Sequence, residues 1–520
     1  MKLKILATSD MHGYIMPTNF TERTMNMPFG TAKVASKIKS LEASFSGPIV
    51  KIENGDFIQG SPLSYYVKKS EAHQVGELTQ AINELQYDVS VLGNHEFNYG
   101  LSYLKQAIAS YNHPVICANI LDEEGRPAFG NPYVILEKQG IKIAILGLTT
   151  QYIPHWEQPQ TVKNLTFVSA IDTAKKYVPK LRELADLVIV SYHGGFEKDL
   201  QSGEPTELLT GENEAYDLLH QVLGIDALVT GHQHRQIATK INGVPVIQPG
   251  YQGAFLGEIC LELEQKDHWK VVDSQATLYS VAEEKVDPMI DQTFAPLNEE
   301  VENWLDQPVG KVEGDMSIKN PEKARLVEHP YIEFINKVQM DAAGVDISGT
   351  ALFNNEGKGF KEIITMRDIL TNYIYPNTLA VLKLTGADLK AALEQSANHF
   401  ILEKGQINFN PKYIEPKPQY YNYDMYEGID YTVDLTQKKG QQIISLTYHD
   451  QPVLETDTFE VVMNQYRAVG GGNYTMFTPE KIVREIQIDM TELIAEYLRK
   501  HPVIKAETNQ NFRFLKKTEQ

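Results

Sequence analysis

Cysteine is nearly absent from these 520 residues: there are two, Cys117 in "PVICANI" and Cys260 in "GEICLEL". Two distant thiols exclude a disulfide framework and a thiolate metal cage. Both sit in apolar runs and read as inert core residues. A long hydrophobic run is also missing. No window approaches the roughly 20 continuous apolar residues of a membrane span. Positive charge is scarce, with 48 Lys and Arg against 68 Asp and Glu, a formal net charge of −20. Such a surface repels a polyanion, which excludes a nucleic-acid polymer as partner. A small anionic ligand stays open wherever a metal ion dominates the local field. Internal repeats and low-complexity tracts are lacking. The opening "MKLKILATSD" has neither the apolar core nor the cleavage site of a secretory leader. The expectation is a cytoplasmic protein, with export behind a leader absent from this sequence as the alternative. The closing "NFRFLKKTEQ" shows no anchor tail. The oligomeric state is left open, and a monomer is compatible with all of this.

A chain of this length exceeds one ordinary core, so two domains are expected. Residues 1–285 alternate apolar runs ("KLKILATSD", "PIVKIENGD", "DVSVLGNHE", "IKIAILGLT", "ADLVIVSYHGG", "IDALVTGHQH") with amphipathic stretches such as "IDTAKKYVPKLRELA". Strand–helix alternation of this kind predicts an α/β layered domain, a sandwich of sheets flanked by helices. Residues 286–324 are acidic and proline-bearing with a helical middle, and read as a linker helix. Residues 325–520 open with the amphipathic "HPYIEFINKVQMDAAG" and continue with strand-like and helical runs, an α+β texture.

Chemistry concentrates where the apolar runs end. "TSDMHG" offers Asp10 and His12, "NGDFIQG" Asp56, "GNHE" Asn94 and His95, "SYHGG" His193, and "TGHQH" His232 and His234. In an open α/β sheet, ligands bind beyond the carboxyl ends of the strands, so these motifs are expected to converge on one edge. Asp10 and His12 are two apart and project to the same side of an extended segment, as do His232 and His234. Oxygen and nitrogen donors without sulfur suit Zn²⁺, Mn²⁺ or Fe²⁺. So many candidates exceed the needs of one ion with an open position and suit two ions sharing a carboxylate. Asp56, alone in its motif, is the expected bridge. Glu96 either orients a neighbour or caps the following helix. The remaining histidines lack such settings.

These motifs resemble those of the calcineurin-like metallophosphoesterases. From about residue 3 onward the chain resembles their nucleotidase branch. "NGDFIQGSPLSYY", "LGNHEFNYG", "YIYPNTLAVLKLTG" and "NQYRAVGGGNY" are most similar to the bacterial 2′,3′-cyclic-nucleotide 2′-phosphodiesterase/3′-nucleotidases. The resemblance implies a metallophosphoesterase domain followed by a C-terminal nucleotide-binding domain, with a hinge at the linker. It implies one metal held by Asp10, His12, Asp56 and His234, and a second held by Asp56, Asn94, His193 and His232. His95 corresponds to the catalytic histidine beside the metals, and Tyr375 and Tyr466 to the aromatic pair that sandwiches the base. The implied reaction opens 2′,3′-cyclic nucleotides and then removes the 3′-phosphate.

The chain departs from the wider family at Asn98, where many members carry an aspartate. Asn98 accepts a hydrogen bond but supplies no charge. Gly472 in "GGGNY" replaces an acid of the 5′-nucleotidases, and Asn354 is a further candidate ligand contact. The alternatives are a 5′-nucleotidase or UDP-sugar hydrolase on the same scaffold, a thiosulfohydrolase, and a nucleotide sensor without turnover.

Overall fold

Alternation of apolar residues builds the first of two compact units, Met1–Glu302, and Asn303–Gln520 forms the second. The computed structural model describes residues 1–515 apart from Thr24, Met25, Gln158, Leu208, Asp267, Pro376, Pro416 and Gln487; the end of the "NFRFLKKTEQ" tail, residues 516–520, lies outside them. In the first unit two six-stranded sheets lie face to face. One runs Trp269–Ser280, Phe255–Gln265, Lys2–Thr8, Ile49–Glu53, Val89–Val91, Val115–Ile116. The other runs Gln236–Ile241, Val244–Pro249, Ala227–Thr230, Leu187–His193, Ile141–Thr149, Tyr133–Lys138.

Period-two alternation explains the layering. Ile5, Val50 and Ile52 of one sheet and Ile143, Ile145, Ile189 and Val229 of the other share one buried cluster between the sheets. Ala144, Leu146, Val188 and Val190 face the opposite way, onto Ala174, Val178 and Leu181 of the helix Ala170–Leu184. Strands buried on both faces read as near-continuous apolar runs, which is why "IKIAILGLT" and "ADLVIVSYH" look as they do. The helix starts at Ser169, whose hydroxyl accepts from the Asp172 N–H at 3.3 Å.

The second unit is α+β. Its main sheet runs Asp424–Glu427, Ile347–Ala351, Thr458–Asn464, Leu379–Thr385, Ile482–Ile486. The helices Pro330–Ala343, Gly386–Ala397 and Met490–Lys500 pack on the same core. Within segment 286–324, the helix Pro288–Leu305 is followed by the strand Pro308–Glu313. That strand pairs with Ile363–Thr365 and Val503–Lys505. Cys117 is buried, and burial pushes its thiol up to about 12. Cys260 is half-buried, outside the core position expected for it, because its strand alternates and it shares its face with Glu258 and Glu262, which pair with Lys4 and Lys2. Among the described residues no helix is long and apolar enough to cross a membrane.

His399 gives the second unit an acid-sensitive point. It is fully buried, with Nδ1 facing the carbonyls of Gln395 and Ser396. Burial, reinforced by the charge of Arg467, holds its pKa down at about 3. A depressed folded value means stability that is present above the unfolded pKa and lost as pH falls through the window from 6.5 to about 3. Urea titrations at about pH 7.5 and pH 5 are expected to show the parent losing about 2 kcal/mol more than the His399→Leu variant; equal losses would refute this.

Candidate metal centre

The five motifs leave the carboxyl ends of five strands. Asp10 and His12 follow Lys2–Thr8, Asp56 follows Ile49–Glu53, and Asn94 and His95 follow Val89–Val91, all in the first sheet. His193 ends Leu187–His193, and His232 and His234 follow Ala227–Thr230, in the second. Within each sheet these strands run parallel to one another. The expected single edge is therefore a rim shared by two sheets.

The chain turns at once after each strand. Asp10, His12, Asp56, His232 and His234 all have φ between 50° and 67°. Left-handed backbone costs a non-glycine residue of order 1 kcal/mol, so the surroundings must hold it. The Asp10 N–H donates to Gly55 O at 2.9 Å and the His12 N–H to Asp56 O at 2.8 Å. Glu96 supplies the strongest clamp. Its carboxylate accepts from the N–H groups of Asp56 (2.8 Å), Phe57 (2.7 Å) and Gly93 (2.7 Å). Of its two open roles, Glu96 orients the Asp56 loop, and the helix Gly100–Ser110 has no side-chain cap. Gly93 lets that loop close, because a Cβ there would stand 2.2 Å from Asp56 Oδ1.

Two groups of side chains result. Ligand atoms of Asp10, His12 and His234 lie within 4.8 Å of one another, and so do those of Asp56, His193 and His232. Asp56 Oδ2 is 3.2 Å from His193 Nε2 and 4.0 Å from His12 Nε2, and so reaches both groups. Asn94 Oδ1 lies 2.9 Å from His232 Nδ1 and joins the second.

The imidazoles are aimed by their far nitrogens. His12 Nδ1 donates to Gln59 O at 3.0 Å, which leaves a bare Nε2 facing His234 Nε2 at 3.1 Å. His193 Nδ1 donates to Asn54 O at 2.6 Å and turns Nε2 toward Asp56. His232 Nε2 donates to Glu212 at 3.0 Å, which turns its Nδ1 to the Asn94 oxygen. Anchoring one nitrogen so that the other presents a lone pair is how histidine is prepared as a ligand.

Acceptor thus faces acceptor, and the site fits cations. Asp56 Oδ2 and His193 Nε2 are buried without an aligned hydrogen-bond partner. Burial would raise the Asp56 carboxyl, yet the charges of His193 and His95 hold it well below its usual range. Burial would lower His193, yet Asp56 and Asp10 hold it up at about 10. Positive charge belongs among these groups, whether as a proton or as a metal ion.

His95 stands apart from both ligand groups, its ring 5.1 Å from that of His12. Its Nδ1 donates to Asn98 Oδ1 at 2.7 Å. In the second unit Tyr375 and Tyr466 are half-buried and each meets Tyr421 edge to face, at 6.3 and 6.4 Å. Tyr375 also packs on Phe353 at 5.2 Å. The Asn354 amide oxygen accepts from the N–H groups of Glu356 and Gly357, so it folds its own loop. Residues the motifs did not reveal are Glu212, Glu157 and Tyr421. Each is an ordinary side chain in a polar stretch, and only the fold gives it a partner.

The comparisons agree with this geometry. Residues 3–236 match the calcineurin-like phosphoesterase family and residues 308–479 match the 5′-nucleotidase C-terminal domain. The chain is 30% identical to the 2′,3′-cyclic-nucleotide 2′-phosphodiesterase/3′-nucleotidase of Yersinia enterocolitica, over 90% of this chain and 81% of that protein. It is 29% identical to the trifunctional nucleotide phosphoesterase YfkN of Bacillus subtilis over 98% of this chain, and spans 38% of that longer protein. A Staphylococcus aureus protein provisionally named a 5′-nucleotidase, solved with α-ketoglutarate, superposes with a TM-score of 0.93 at 37% identity, covering 99% of this chain and 100% of that one. The chain belongs to the calcineurin-like metallophosphoesterases. More narrowly, it belongs to the nucleotidase branch, in which a 5′-nucleotidase C-terminal domain follows the phosphoesterase domain.

Removing the Glu96 clamp tests the site's construction. Glu96→Ala strands buried N–H groups, at a cost of about 1–3 kcal/mol, and frees the Asp56 loop. Chelator competition should show divalent-metal affinity falling about 10–100-fold. Unchanged affinity would contradict the assigned role.

Proposed function

We propose that this protein hydrolyses nucleotide phosphoesters, opening 2′,3′-cyclic nucleotides to 3′-nucleotides and then releasing the 3′-phosphate. The observation that carries the reading is the pair of ligand groups joined at Asp56, with His95 beside them and in neither. Asp10, His12, Asp56 and His234 would hold one divalent cation, and Asp56, Asn94, His193 and His232 a second. Zn²⁺, Mn²⁺ and Fe²⁺ all suit these donors. Bound, such cations acidify water and neutralise phosphoryl oxygens. His95 faces the phosphoester and gives a proton to the departing ribose oxygen. Asn98 keeps its ring in line by accepting from Nδ1. Tyr375 and Tyr466 stack on the base, worth about 1–3 kcal/mol each and tolerant of its identity. The identity to the Yersinia protein supports the cyclic and 3′ substrates.

A second reading is a 5′-nucleotidase, favoured by the provisional name of the Staphylococcus aureus protein. Asn98, Gly472 and the two tyrosines weigh against it.

A substrate panel of 2′,3′-cAMP, 3′-AMP and 5′-AMP with Mn²⁺ separates the two. The cyclic and 3′ substrates should be turned over faster; faster 5′-AMP hydrolysis would overturn the first reading in favour of the second. His95→Ala should lower kcat by about 10²–10⁴ while elemental analysis finds the metal content unchanged.

A further inference from the structure

The His95 ring is held by an amide rather than by a carboxylate. Its Nδ1 donates to the amide oxygen of Asn98. An amide has an accepting end and a donating end, and nothing in Asn98 itself decides which of them faces the ring. The decision is made one step further out. Asn98 Nδ2 donates to Glu157 Oε1 at 2.6 Å. An ionised carboxylate only accepts, so the NH₂ end must face Glu157, the oxygen must face His95, and the ring must keep a proton on Nδ1. Nε2 is then the atom left to carry a second proton.

The segment bearing Glu157 is itself fixed against the site. Glu157 is 6% exposed, and its N–H donates to the carbonyl of the buried Ile153 at 3.1 Å. Its neighbour Trp156 lies with its ring 5.3 Å from that of His232. One short turn thus touches the metal-ligand group through Trp156 and the His95 chain through Glu157.

We propose that Glu157 is a positioning residue for His95: through Asn98 it selects the Nδ1–H tautomer and supplies, across two hydrogen bonds, the negative charge that Asn98 lacks. The inference rests on the role given to His95 above. In the step it serves, a water-derived hydroxide bonds to phosphorus as the P–O bond to the ribose oxygen breaks, the Nε2 proton passes to that oxygen, and the ring is left neutral with its Nδ1–H still donating to Asn98. Burial pushes the Glu157 carboxyl up to about 7, so the test is run at about pH 8.5, where it is ionised.

Two substrates report on proton donation: 3′-AMP, whose alkoxide leaving group needs the proton, and p-nitrophenyl phosphate, whose phenolate does not. Glu157→Leu should lower kcat on 3′-AMP about 10–100-fold with little change in KM, and on p-nitrophenyl phosphate less than about threefold. Glu157→Gln, which keeps an acceptor without the charge, should fall between parent and Glu157→Leu. Adding Asn98→Asp to Glu157→Leu places a carboxylate directly on His95 and should restore most of the 3′-AMP rate. Independently of turnover, ¹⁵N spectra of the zinc-loaded protein, with His95 assigned by its absence in His95→Ala, should show the Nδ1–H tautomer in the parent and a mixture in Glu157→Leu. Equal losses on both substrates, no rescue by Asn98→Asp, or an unchanged tautomer would each overturn the proposal. A parent that turns over neither substrate would instead sink the phosphoesterase reading.

Discussion

A buried carboxylate oxygen with no hydrogen-bond donor aligned to it, Asp56 Oδ2, organises the first unit. Asp56 Oδ2 looks onto His193 and His12, and its other oxygen accepts the His95 N–H at 2.8 Å. An ionised group in such a place is tolerable only beside positive charge. Every nearby feature serves that requirement: Asp10 adds a second carboxylate, the imidazoles turn lone pairs inward, and Glu96 fixes the loop from behind.

The arrangement is costly to build, and the cost explains its form. Five left-handed residues, several buried acids and opposed acceptors all disfavour the folded chain by themselves. Backbone hydrogen bonds between the Asp10 and Asp56 loops offset part of this. Cations held there would offset more of it, because a ligand that binds only the folded form adds its free energy to folding. Glu53 and Glu96, both buried near His193, are pushed upward by burial and by neighbouring negative charge.

Much of this was legible from the residues alone. A polar ligand type at the end of an apolar run is a local pattern, so Asp10, His12, Asp56, Asn94, His193, His232 and His234 could be picked out before any fold was known. Asp56 could be singled out as the expected bridge because it stands alone in "NGDFIQG", and the fold sets its Oδ2 toward His193 and His12. The division of the strands between two sheets could not be read, since strand order depends on long-range pairing. Glu96 stayed between two roles because the loop it clamps lies 40 residues away. Glu157 and Glu212 carry no local signal, as their partners Asn98 and His232 are 59 and 20 residues distant. The strand Pro308–Glu313 hid in a proline-bearing stretch because its partners lie near residues 363 and 503. Cys260 misled because an apolar run in an edge region still shows one face to water.

The central claim is that Asp56 joins two cation sites. Anomalous diffraction from crystals of the manganese-loaded protein, recorded at the metal edge, tests it most directly. The account predicts two peaks, one among Asp10, His12 and His234 and one among Asn94, His193 and His232, with the Asp56 carboxylate touching both. A single peak that leaves Asp56 uncoordinated, or two peaks lying away from these side chains, would contradict it.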